Sequence, residues 1–171
     1  MRGWLRVFWG ILCWRRGPRD LPASHAVLAL AALAYLLTSW AQAALVYGAA
    51  DAPSLAVGDL ALTGAVSSVC LLPGRRWTRV PQTLSAVLGA EALLSLPMII
   101  LLLIHPVGAA QGTSAILSLV SLLGLVWSAL VMAKIISDAM DKPLVLAMGI
   151  TLIYFSLSYL LLDPMSHRMG G

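Results

Sequence analysis

Charge is what this sequence has least of. Only 11% of its 171 residues are Asp, Glu, Lys or Arg, against about 25% in an ordinary soluble domain. Eleven basic and seven acidic side chains are too few to wet a globular surface. Cysteine is also scarce. Cys13 and Cys70 are the two present, which excludes a disulfide scaffold, and without a CxxC spacing they indicate neither redox chemistry nor zinc. The sequence contains no Gly-rich phosphate loop, no GxSxG and no HExxH, so the familiar catalytic motifs are missing. What it has in quantity is apolar mass: 60% hydrophobic residues and a mean hydropathy of +0.92. Disorder is excluded by that abundance. The expected fold class is an all-α integral membrane protein.

A spanning helix needs about 20 mostly apolar residues. Five stretches meet or approach this, at about 26–48, 55–72, 83–104, 113–132 and 144–162. They are apolar on all sides, as lipid-facing helices are, and none shows the alternation of a barrel strand. Turn-forming residues punctuate them: 50–54, Pro73-Gly74-Arg75-Arg76, His105-Pro106-Val107-Gly108 and Asp141-Lys142-Pro143. The expected organisation is a five-transmembrane-helix bundle over 18–171, preceded by a short N-terminal segment, 1–17.

Basic residues sort by loop. Arg2, Arg6, Arg15, Arg16 and Arg19 precede the first span, Arg75, Arg76 and Arg79 follow the second, and Lys134 and Lys142 flank the fourth break. Only Arg168 lies on the other side. The positive-inside rule then puts the N-terminus in the cytoplasm and the C-terminus outside an inner (plasma) membrane. Trp40, Tyr47 and Trp77 sit near the expected boundaries, where amphipathic rings settle. The basic stretch is too long, and the first span too long, for a cleaved signal peptide, so that span is expected to remain as an anchor.

Within 1–16, Trp4, Leu5, Phe8, Ile11 and Leu12 recur at helical spacing, with Arg2, Arg6, Cys13 and Arg16 on another face. The segment is too short to span. It is expected to be an amphipathic interfacial helix anchored by Trp4, Phe8, Trp9, Arg15 and Arg16, with anionic headgroups adding about 1 kcal/mol per basic residue. It serves either as a lipid- or partner-binding helix or simply as an anchor. Gly17-Pro18 should end it.

One acid stands well inside a span. Glu91 lies about 12 Å from Thr83 along the third stretch at 1.5 Å per residue. A charge at that depth costs several kcal/mol, so the carboxyl is protonated, hydrogen-bonded or facing a wet cavity. Tyr35, Thr63, Ser67, Ser121, Ser128, Thr151 and Tyr154 lie at similar depth as possible hydrogen-bond partners, and no Lys, Arg or His does. The plainer alternative is a neutral acid acting as structural glue. Pro97, six residues on, should kink its helix. Ser114, Ser118, Ser121 and Ser128 lie near one helical face, which could line a pore but is expected to form a packing seam, as are Ser85 with Gly89 and Thr63, Gly64, Ser67 and Ser68. Asp51, Asp59, His105, Asp163 and His167 are assigned to the outer side as solvated loop residues rather than metal ligands. Lys134 and Asp138, four apart, suit a local ion pair.

The run Arg16-Gly-Pro-Arg-Asp-Leu-Pro22 before the first span and the run Trp127-Ser-Ala-Leu-Val-Met-Ala-Lys134 before the fourth break resemble small bacterial members of the Yip-type five-span family, over about residues 15 to 162. That resemblance implies five spans with the N-terminus inside; eukaryotic members bind Rab-like GTPases. The Asp-Leu-Tyr-Gly-Pro motif of those members is absent, with Gly17-Pro18 preceding Asp20-Leu21 here.

The expected function is therefore non-enzymatic: a scaffold, assembly factor or accessory subunit of a membrane complex, with the lipid bilayer and a membrane-protein partner or second copy as partners, no nucleic acid and no cofactor. The alternative is a small transporter or channel using Glu91. A single buried ionisable group is what weighs against it.

Overall fold

The computed structural model describes the backbone at residues 2–71, 77–104 and 115–169 and the side chains at 6–71, 78–104 and 118–160. The breaks expected at Pro73–Arg76 and His105–Gly108, and Ser114, lie outside the described residues. So do the side chains of Trp4, Trp77, Asp163 and His167.

Six α-helices follow in order: α1 (Arg2–Leu12), α2 (His25–Val46), α3 (Ala52–Leu71), α4 (Val80–Ile104), α5 (Ala115–Met140) and α6 (Leu144–Met169). No strand occurs among the described residues. Four helices, α2, α3, α4 and α5 from Ser118, are long and apolar enough to cross a membrane, and α6 contributes a shorter apolar stretch over Leu144–Leu160. The fold is a helical bundle of membrane type.

The ends of these helices follow local chemistry. After α2 the chain turns at Gly48 with φ +101°, a conformation that glycine adopts without steric cost. α5 stops at Asp141, with Ser137 Oγ donating to the Lys142 carbonyl at 2.7 Å, and the Pro143 carbonyl, just before α6, accepts from Leu146 N at 3.1 Å. α5 reaches Met140, past the expected span end at 132. Positive charge marks a membrane boundary, whereas a helix continues for as long as its backbone bonds do. Lys134 and Asp138 are therefore both helical, and they pair at 2.5 Å. α4 runs continuously through Pro97.

α4 is the hub. It packs most extensively along α2, and also against α5, α3 and α1; α6 lies on α5 and α3. Small residues make the close approaches: Ala31, Ala86, Ala90, Ala92, Ala133 and Ala147 are all buried. In lipid the hydrophobic effect does not drive helices together, so close van der Waals contact has to. The outward faces carry large apolar side chains such as Leu30, Leu33, Ile100, Leu103, Leu152 and Ile153, a liability in water and ordinary in a bilayer.

One end of the bundle gathers the described basic groups. Arg19 pairs with Asp141, Arg79 Nη1 meets Asp141 Oδ2 at 3.0 Å, and Gln82 Nε2 donates to the Leu21 carbonyl at 2.8 Å. The chain from Pro18 to Leu21 is thereby fastened to the start of α4 and the end of α5. α1 docks on the same end. Its Ile11 and Leu12 are 2% and 6% exposed, within a core that includes Ala86, Val87 and Ala90 of α4 and Val131, Met132 and Ile135 of α5. The helical face that carries these residues therefore packs on protein.

Candidate functional site

Four of the five long helices turn polar residues inward to one place. α2 contributes Tyr35, Ser39 and Gln42; α3 contributes Asp59; α4 contributes Glu91 and Ser95; α6 contributes Tyr154 and Ser158. With Phe155, these side chains line a cavity of about 180 Å³ inside the bundle. No basic side chain lines it. A wider space of about 570 Å³ shares Ser39, Gln42, Asp59, Phe155 and Ser158 with the cavity and adds Val46, Tyr47, Leu55 and Tyr159. The cavity thus opens towards the α2–α3 turn, the end opposite the basic cluster.

Asp59 is the correction the structure makes to the sequence reading. Expected as a solvated outer residue, it lies two turns inside α3. Tyr35 donates its hydroxyl to Asp59 Oδ2 at 2.5 Å and Tyr154 donates to Oδ1 at 3.1 Å. Ser39 approaches Oδ2 at 3.4 Å. With the Tyr154 proton committed to Asp59, Thr63 Oγ1 donates to the Tyr154 oxygen at 2.9 Å and stands 3.4 Å from Tyr35. Hydroxyl groups thus converge on both oxygens of Asp59.

Glu91 is served differently. Ser128 Oγ lies 2.8 Å from both carboxylate oxygens, so one hydroxyl proton is shared between two acceptors. No further partner for Glu91 is recorded among the described residues, and the group borders the cavity. Of the seven partners expected for it, only Ser128 bonds to it. Tyr35, Thr63 and Tyr154 belong to the Asp59 network. Thr151 turns back to the Ala147 carbonyl at 2.9 Å, Ser121 faces Met98 Sδ at 3.8 Å, and Ser67 is fully buried without a partner among the described residues.

The sequence did carry a signal for Asp59. Asp59, Thr63 and Ser67 recur every fourth residue, a polar stripe on an otherwise apolar helix, matched by Tyr35–Ser39–Gln42 and Tyr154–Ser158. Among the described residues no three of His, Cys, Asp and Glu converge as a metal site would require. Of the expected interfacial anchors, Trp9, Arg15 and Arg16 are exposed and Phe8 is half-buried against α4.

No protein-family model, curated protein or solved structure matches this chain.

Proposed function

We propose that the chain is a small, non-enzymatic carrier or channel that takes up a proton or small cation at Asp59 and Glu91. One observation carries this: two carboxylates on adjacent helices border one polar cavity that contains no basic side chain and opens at one end of the bundle. A lone intramembrane acid favours structural glue. A second one, with its donors already arranged, favours a site that exchanges a positive charge. In this proposal the protein is a five-span inner-membrane protein with α6 as its fifth span and α1 in the cytoplasmic interface. The N-terminus is cytoplasmic, and the cavity faces outward. A Yip-type architecture is compatible with that arrangement.

The test is flux. Reconstituted into liposomes with a trapped pH- or cation-sensitive dye, the protein conducts, and Glu91→Gln and Asp59→Asn each slow the flux by about tenfold, equivalent to about 1.4 kcal/mol. Wild-type flux no faster than that of empty liposomes, or unchanged flux in the double variant, overturns the proposal.

A scaffold or accessory-subunit role is the second proposal. It draws support from a different feature: from Ser118 to Trp127, α5 is exposed on nearly all sides, leaving its outer half free for a partner.

A further inference from the structure

We infer that α1 is a plug that seals the carboxylate site from the basic end of the bundle, and that its departure opens that side. The inference rests on the carrier proposal for its purpose but not for its test.

α1 and the turn after it touch both helices that hold Glu91 and its serine. On the face of α4 turned away from Glu91, the Phe8 ring is seated against Gly89, where a Cβ would overlap it. On α5, Trp14 stacks on Trp127 with centroids 6.4 Å apart and planes 22° from parallel. Trp127 is the residue before Ser128, whose hydroxyl holds Glu91. Between these contacts, Ile11 and Leu12 share a buried core with Val87, one turn before Glu91 on the same face, and with Val131 and Met132, one turn after Ser128. Tyr154 belongs to that core and also borders the cavity, so removing α1 takes away packing behind the cavity wall.

The attachment is built to move. Trp14 adopts φ 59°, a left-handed conformation uncommon for residues with a side chain, and Arg15 N closes back on the Gly10 carbonyl at 2.8 Å. Five residues after Trp14 the chain is fastened independently, through Arg19 and Asp141. α1 can therefore leave its seat while the bundle keeps its clamp. The opposite face of α1 presents Arg6, Trp9 and Cys13 outward. Those groups suit an anionic membrane surface, which competes with the bundle for the same helix.

Side-specific labelling tests this. The full chain carries Cys13→Ser, Cys70→Ser and Glu91→Cys, is placed in sealed vesicles, and is treated with a membrane-impermeant maleimide from each side in turn. With α1 intact, labelling from the basic end is slow. Adding Phe8→Ala and Trp14→Ala raises it about tenfold, a shift of about 1.4 kcal/mol in opening, and leaves labelling from the other side unchanged. If Glu91→Cys does not fold, Ser95→Cys reports from the same cavity. Equal rates from the basic end with and without the Phe8 and Trp14 substitutions overturn the plug. Absent flux with altered labelling overturns the carrier and leaves the plug; flux with indifferent labelling does the reverse.

Discussion

At the scale of the residue, Asp59 and Glu91 differ in how fully their oxygens are served. Asp59 receives two tyrosine hydroxyls and stands near a serine. Glu91 has one serine for both oxygens. Losing that serine leaves a buried carboxyl with no recorded side-chain donor, and such losses inside membrane proteins cost about 0.6–1.7 kcal/mol. Ser128→Ala therefore lowers the unfolding free energy by about 1 kcal/mol. In a Glu91→Gln background the same change costs less, because the amide supplies its own donors. Denaturant unfolding of the four proteins in detergent measures the coupling, and strictly additive costs refute a specific Ser128–Glu91 interaction. Glu91 was legible in the sequence because a lone acid in a long apolar run is conspicuous. Asp59 was not, because an acid four residues inside an expected span edge looks like a boundary group, and only its four-residue spacing to Thr63 and Ser67 points inward. Which hydroxyls serve which acid depends on how the helices are rotated about their axes, and composition says nothing of that.

At the scale of the element, the long helices were legible from hydropathy, and their ends were less so. The basic residues that mark a boundary at Lys134 lie mid-helix in α5, since a charged face does not break backbone bonds. The apolar face of α1 was also legible, but what it packs on was not: the same amphipathic pattern serves lipid or protein. Gly89 decides it, because the absence of a side chain there makes the seat for Phe8. Gly89→Val closes that seat with rigid, β-branched bulk. α1 is then expected to open more often while α2 to α6 stay assembled. Limited trypsin digestion after the exposed Arg15 and Arg16 reads this as faster cleavage at unchanged bundle stability, since cleavage follows the population of the locally open state. Cleavage at the wild-type rate shows that Phe8 does not hold the helix.

At the scale of the whole molecule, the larger apolar core lies towards the basic end, and among the described residues the first half of α5 is largely uncovered. The buried apolar core gathers α1, α4, α5 and α6 at the basic end. Towards the opposite end Leu119, Val120, Leu122, Leu123, Leu125 and Val126 of α5 are all exposed. A half-helix with so few protein neighbours gives up the van der Waals packing that holds helices together in lipid, where acyl chains are as apolar as leucine. A second copy of the chain, or a partner helix, restores that packing and covers the lateral side of the cavity that Leu125 borders. The protein is accordingly expected to run as a dimer or larger species in mild detergent, by light scattering on a sizing column. Leu122→Ala with Val126→Ala, which thin one side of this half-helix four residues apart, should shift it towards monomer. If the wild-type protein is a strict monomer with no co-purifying partner, α5 faces lipid alone and the scaffold role is lost. The carboxylate cavity would then have to work within a single bundle, as its lining by α2, α3, α4 and α6 permits.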